Sequence, residues 1–348
     1  MDSYVDMPQL DNLSALSYES LSGIYPDYSF SSVAESIANG TNAFDAENIF
    51  NSIMYIFANE LYVAVKILGV IIAVVMISAV LENLRTAFNK TTALGSEMIV
   101  VALSATLAGE IFLTSGNYAT DISSDITKLM LAVLPALFTL TAGSGFTQTV
   151  IITNPIIYFM CNVFAELFQR VLIPLSVTYF AISLLDLITD EIRLSKLREL
   201  IKKTYNFILG VVMTLFTGLL GVSSFAGASL DSVGAKGVKF AVSNIVPFVG
   251  RSLSDAMGAV VAASVMLKNA VGITAIITLV AMCLMPVVKV AATIIMIRLS
   301  AAICEPVANA KTVSILSSAA DSLSMINAAV IATVMMMVIS ISLIVGIK

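Results

Sequence analysis

Charged side chains set inside or beside apolar runs are the residues of this 348-residue chain with the most chemistry to offer: Lys66, Glu110, Glu166, Arg170, Asp186, Lys268, Lys289, Arg298 and Glu305. At bilayer depth each is costly, so such a group faces protein, water or an opposite charge and marks an ion path, a proton relay or a subunit contact. Glu110, in residues 107–113 (LAGEIFL), is the single acid well inside its run and is the residue a proton-coupled carrier would use. A carboxylate hydrogen-bonded to a neighbouring helix, or one near the membrane interface, accounts for it equally well. Arg298 and Glu305 are seven apart, two helical turns, and share a face, with Lys289 nine residues before Arg298 on roughly the same side. That stripe lines an aqueous path or a subunit contact, unless the basic groups snorkel to headgroups and Glu305 only ends a helix before Pro306. Glu166 and Arg170, four apart, have the spacing of an intrahelical ion pair near a helix end.

Other chemistry is excluded by composition. The chain has no histidine, which removes His-dependent metal sites and Ser-His or Cys-His nucleophile pairs. Cys161, Cys283 and Cys304 lie in apolar stretches and form no C-x-x-C spacing, so they read as small apolar residues. No Gly-Lys dipeptide, H-E-x-x-H or G-x-S-x-G occurs, so nucleotide-driven energy coupling would have to come from another subunit. The seventeen methionines lack accompanying soft ligands and read as packing or lipid-facing residues. A net charge of -5 argues against a nucleic-acid partner. No catalytic residue, metal or cofactor is implied, and an intramembrane enzyme would lack a His base, a paired-aspartate signature and a metal motif.

The elements that must position these charges are membrane-spanning helices. Hydrophobic residues make up 58% and charged residues 12% of the chain, too little charge to cover a soluble body of this size. Residues 1–60 carry nine carboxylates and no Lys or Arg, and read as an acidic extracytoplasmic arm that becomes an amphipathic helix over 44–58. The opening residues show neither the basic start nor the apolar h-region of a secretory signal, so a signal was trimmed or never present. Residues 61–348 form the polytopic domain, with clear apolar runs at 61–81, 98–115, 171–188, 206–224, 270–305 and 326–347. Weaker runs at 129–142, 149–167 and 239–264 are interrupted by Pro135, Pro155 and Pro247 and read as broken, re-entrant or crossing, while Pro286 divides the longest run. The expectation is an all-α helical bundle with roughly seven to ten spanning or re-entrant helices.

The densest basic cluster, Arg193, Lys196, Arg198, Lys202 and Lys203 in a loop over 189–204, belongs in the cytoplasm, which puts the N-terminus outside. Pro135 and Pro247, and Pro174 and Pro286, recur at an offset of 112 residues, which makes 97–188 and 206–305 candidate tandem repeats. Gly210, Gly218 and Gly221, and the small residues Ala262, Ala263, Ala270 and Gly272, mark faces for tight helix packing or a homo-oligomer. Residues 227–237 (GASLDSVGAKG) read as a flexible extracytoplasmic connection.

The stretch over 239–308 resembles the stage III sporulation protein AE family of endospore-forming bacteria. It carries a K-F-x-x-x-N-x-x-P-x-x-G-R core at Lys239, Phe240, Asn244, Pro247, Gly250 and Arg251, then Asp255, L-K-N-x-V-G-I over 267–273, Pro286 with Lys289, and Glu305-Pro306 where relatives often show Gln-Pro. Asn117-Tyr118-Ala119-Thr120, Asn154-Pro155 and Ile173-Pro174-Leu175 also fall in the family's order, so the resemblance runs from about Leu61 to the C-terminus. It implies a non-enzymatic, permease- or export-gate-like subunit of the channel between mother cell and forespore, in the mother-cell membrane around the forespore. Implied partners are a secretion-type ATPase, ring-forming proteins of the same operon and a forespore membrane protein. Family members commonly begin with a cleavable signal peptide, so its absence suggests a mature or truncated chain. The family transfers no catalytic residue. The packing or path-lining candidates are therefore Glu110, Asn244, Pro247, Gly250, Arg251, Lys268, Lys289 and Arg298. A stand-alone carrier for a small solute, suggested by the repeat, the broken helices and Glu110, is the rival reading, and a purely structural scaffold is a third.

Overall fold

The structure, a computed structural model, describes residues 33, 34, 36, 37, 46–85, 90–188, 194–245 and 250–346. We number its long helices α1 (Ala46–Arg85), α2 (Lys90–Gly143), α3 (Thr147–Leu167), α4 (Ile173–Ile188), α5 (Ser195–Ile245), α6 (Gly250–Cys304) and α7 (Ala310–Val345). A π-helical turn, Phe168–Leu172, joins α3 to α4. Among the described residues every regular element is a helix, as the composition predicts.

Among the described residues, six helical stretches are long and apolar enough to cross a bilayer: Phe57–Ile77, Met98–Gly143, Thr147–Leu187, Ser195–Gly227, Val260–Cys304 and Ala310–Val345. The chain is a multi-pass membrane protein. The division expected from prolines does not occur at Pro135, Pro155 or Pro286, each of which lies inside a continuous helix. A proline in a helix removes one N–H bond and can kink it, but packed neighbours and hydroxyl side chains keep a membrane helix continuous. Pro174 is accommodated differently. The Ile173 N–H donates to Phe168 O, five residues back. This wider turn falls where the proline ring would meet the Arg170 carbonyl.

Three further boundaries move. Residues 116–128, polar enough to read as a loop, are helical within α2. Thr120 Oγ1 donates to Gly116 O at 2.8 Å and Thr127 Oγ1 to Ser123 O at 3.0 Å, so these hydroxyls are satisfied on the helix itself. The glycine-rich segment 227–237 is helical within α5. Lys196, Arg198, Lys202 and Lys203 sit on the first turns of α5 rather than in a loop, where Glu199 pairs with Lys196 at 3.6 Å and Lys203 at 2.8 Å. Likewise the expected boundary between arm and membrane domain, at 60–61, falls inside α1.

The axis of the bundle is α7, in which 20 of 36 residues are buried, a helix apolar nearly all round and enclosed by α2, α4, α5 and α6. α1 packs on α6 and α2, and α3 packs on α5. α6 runs antiparallel to α7: a Cβ on Gly272 would meet the Val345 side chain, and Arg298 reaches Asp321. The α4–α5 and α6–α7 connections therefore share one end of the bundle, the basic end. Gly143, at the other, lies beside Ser264.

Gly210, Gly218 and Gly221 face open space, and a methyl group added at any of them would meet nothing within 4 Å. They make no close helix approach among the described residues. Alanine at each position should leave thermal stability in detergent unchanged, or raise it by about 0.5–1 kcal/mol through helix propensity. A marked loss of stability would mean that a partner covers this face.

Candidate functional site

At the basic end, four helices converge on one carboxylate. Asp321, in the fourth turn of α7, accepts from Lys202 Nζ of α5 at 2.9 Å, Arg298 Nη2 of α6 at 3.0 Å and Tyr179 Oη of α4 at 3.3 Å. Arg298 Nη2 also lies 3.5 Å from Ser324 Oγ, and the Lys202 ammonium stands 6.0 Å from the centre of the Tyr179 ring. One turn along α5, Tyr205 is wholly buried and its hydroxyl donates to the Met325 carbonyl. Below them Asp186, at the end of α4, accepts from the Leu194 N–H at 2.6 Å and lies 4.0 Å from Arg198, which fixes the start of α5.

These contacts follow from position along each helix. The α4–α5 and α6–α7 connections are short, so the ends of α4 and α6 and the starts of α5 and α7 are brought to one level. Two cations then share one acid, leaving net positive charge beside it. Asp321 and Arg298, with Glu305 and Ser317, line an open cavity of about 370 Å³ between α6 and α7. The predicted sharing of a face by Arg298 and Glu305 thus holds. The arrangement contains ion pairs and a hydroxyl but no nucleophile with a base. Among the described residues no group of three His, Cys, Asp or Glu could hold a metal ion.

Asp321 is the residue that sequence reasoning misses. The last apolar run legible in the sequence, 326–347, leaves Asp321 outside it, whereas α7 begins at Ala310. The available signal is one carboxylate in an otherwise uncharged helix over 312–345.

The other expected residues lie apart from this cluster. Lys289 is exposed, with its ammonium 4.4 Å from the centre of the Tyr118 ring on α2. Lys268 is fully buried, its ammonium 5.6 Å from the Phe146 ring at the α2–α3 turn. Glu110 is exposed in a groove of about 360 Å³ between α1 and α2, which Lys66 also lines. Glu166 and Arg170 form the predicted i,i+4 pair on the surface, at the π turn within a continuous helical stretch rather than at a free end. Asn244 stands in the last turn of α5, and Gly250 and Arg251 open α6. Pro247 and the side chains of the other three lie outside the described residues.

A second polar contact locks α3 to α5. Asp231 of α5 is buried and accepts from the N–H groups of Gln148 and Thr149, both at 2.8 Å, and from Thr149 Oγ1 at 2.6 Å. Phe146, the residue at the N-cap of α3, offers no side-chain acceptor, so a neighbouring helix caps α3 instead. Gly227, one turn before Asp231, allows this approach, because a Cβ there would fall 2.5 Å from Thr149 Cα.

Comparison with known proteins places the chain beside sporulation proteins. The family described as stage III sporulation protein AE matches residues 28–348. The stage III sporulation protein AE of Bacillus subtilis (strain 168) is 28% identical over 324 residues, covering 93% of this chain and 81% of the relative. No solved structure matches at a significant level.

Proposed function

The chain belongs to the stage III sporulation protein AE family, and has a role in sporulation; from that premise we propose that it is a non-enzymatic, permease- or export-gate-like subunit of the channel complex between mother cell and forespore. The observation that carries this reading is the charged cavity at the basic end, where four helices are tied to Asp321. A cavity that opens at one end of a helical bundle and is lined by ion pairs suits a vestibule for a path or a docking partner. The partners are an ATPase and ring-forming membrane proteins encoded with it, and a protein of the forespore membrane.

The basic end is cytoplasmic, because the positive residues at the α4–α5 connection hold it inside. Two membrane-crossing stretches lie between the end of α1 and that connection, where the apolar runs of the sequence predict four. The parity is the same, so the N-terminus remains outside. The membrane is the mother-cell membrane around the forespore, and residues 1–60 and the α5–α6 connection face the space between the two membranes. The tandem relation of 97–188 to 206–305 belongs to the same proposal.

Replacement of Lys289 or Arg298 by methionine tests the reading. Each change keeps an unbranched side chain and removes a cation that reaches Tyr118 or Asp321. Heat-resistant spore counts should fall at least tenfold, with an unchanged amount of protein in the membrane. Normal counts for both variants would contradict a path-lining or docking role. The second reading, a stand-alone solute carrier, is favoured by the groove that holds Glu110 with Lys66. Solute uptake by the purified chain in liposomes would support it.

A further inference from the structure

The groove between α1 and α2 holds an acid and a base inside two long apolar stretches. Lys66 is the tenth residue of the 21-residue span Phe57–Ile77, so at 1.5 Å per residue about 14 Å and 16 Å of helix separate it from the two ends. Glu110 lines the same groove and so lies at about the same level along the bundle. Both side chains are exposed, and the ion pairs among the described residues include neither of them. Around them Tyr62, Val63, Val70, Leu103 and Leu113 are 44–72% exposed. Charges within such apolar stretches are costly where they face lipid.

We propose that this groove is the contact between two copies of the chain, in which Lys66 of each copy pairs with Glu110 of the other. Charge complementarity under symmetry selects a second copy as the occupant. A two-fold axis along the membrane normal brings together residues of equal depth, and a contact built on such an axis is self-complementary. An acid and a base at one level on adjacent helices are then matched twice, α1 of one copy lying against α2 of its partner. Thr114 and Ser115, which also line the groove, supply hydroxyls beside the paired charges. A ligand-free aqueous groove would leave the surrounding apolar side chains wet. A second copy covers charges and apolar rim together.

The test uses two differently tagged full-length copies co-expressed in one membrane. K66E alone and E110K alone should each reduce recovery of one tag with the other at least tenfold. A K66E copy expressed with an E110K copy should restore recovery to near the level of the unaltered pair, because each contact then regains opposite charges. An ion pair within one chain predicts the reverse, since K66E places two acids, and E110K two bases, in the same groove. Because charge reversal could impair folding, a second measurement uses Lys66→Cys in one copy and Glu110→Cys in the other, with Cys161, Cys283 and Cys304 replaced by alanine. Oxidation in the membrane should give a disulfide-linked pair carrying both tags. Absence of both the mixed-copy recovery and the disulfide would overturn the proposal, as would disulfide formation to a different protein only. A monomeric outcome leaves the channel reading untouched, because that reading rests on a different cavity, between α6 and α7.

Discussion

Gly227→Ala should be among the most damaging single-methyl additions in the chain. The new Cβ would stand 2.5 Å from Thr149 Cα and 2.9 Å from Thr149 Cβ, inside any real contact distance. The first of these atoms is backbone, so relief requires α3 to move away from α5. That movement pulls the Gln148 and Thr149 N–H groups off the Asp231 carboxylate and exposes the N-terminus of α3. Overpacking costs about 1–3 kcal/mol, and loss of the cap adds about 1 kcal/mol more. The midpoint of thermal unfolding in detergent should fall by several degrees, and the protein should become prone to proteolysis. Asp231→Ala should reproduce the cap's part of the loss without the clash. Gly272→Ala provides the comparison. Its Cβ would come closer still to Val345 Cγ2, yet that atom belongs to a side chain in the last residue of α7, which can rotate or shift. Stability in the order wild type, Gly272→Ala, Gly227→Ala is expected. A Gly227→Ala protein as stable as the wild type would refute the packing described for α3 and α5.

Asp321→Ala should have the largest effect on function. It leaves Lys202 and Arg298 facing each other across the position of the lost carboxylate, and frees the Tyr179 hydroxyl. The exposed sides of these pairs are worth little individually, since the Lys202 and Arg298 side chains are 45% and 57% exposed. The shared acid matters more than either pair, because its removal turns two attractions into a repulsion. A loss on the order of 1–3 kcal/mol is expected, between the ranges for exposed and buried pairs. The basic ends of α4, α5, α6 and α7 should separate, and heat-resistant spores should fall by at least a hundredfold. Arg298→Met combined with Asp321→Ala removes one of the two opposed cations and should recover part of the lost stability. A double-mutant cycle on detergent-solubilised protein measures that coupling. Strict additivity would mean that Arg298 and Asp321 do not interact.

The class of fold is legible because it depends on composition: sparse charge and repeated apolar runs leave few alternatives to a helical membrane bundle. Helix boundaries are less legible because neighbours decide them. Pro286, the hydroxyl-rich residues 116–128 and the glycines of 227–237 all carry local signals for interruption. In each case the helix continues, through packing against α7, bonds from hydroxyls to the preceding turn, or the docking of Gly227 against Thr149. Individual site residues are partly legible. Arg298 stands out as a charge in an apolar run, but its acid is 23 residues away across a helical hairpin. Glu110 stands out likewise, whereas its association with Lys66 requires the antiparallel placement of α1 and α2. Asp231 carries no signal at all, since nothing local shows that it caps a helix 82 residues earlier.

The measurement that tests the central claim most directly is purification of the tagged protein from sporulating cells in mild detergent, followed by mass spectrometry and sizing of the particle. Recovery in a large assembly with the sporulation ATPase and ring-forming proteins is the predicted result. A stable monomer or dimer recovered without those proteins would contradict a channel subunit and favour a stand-alone carrier.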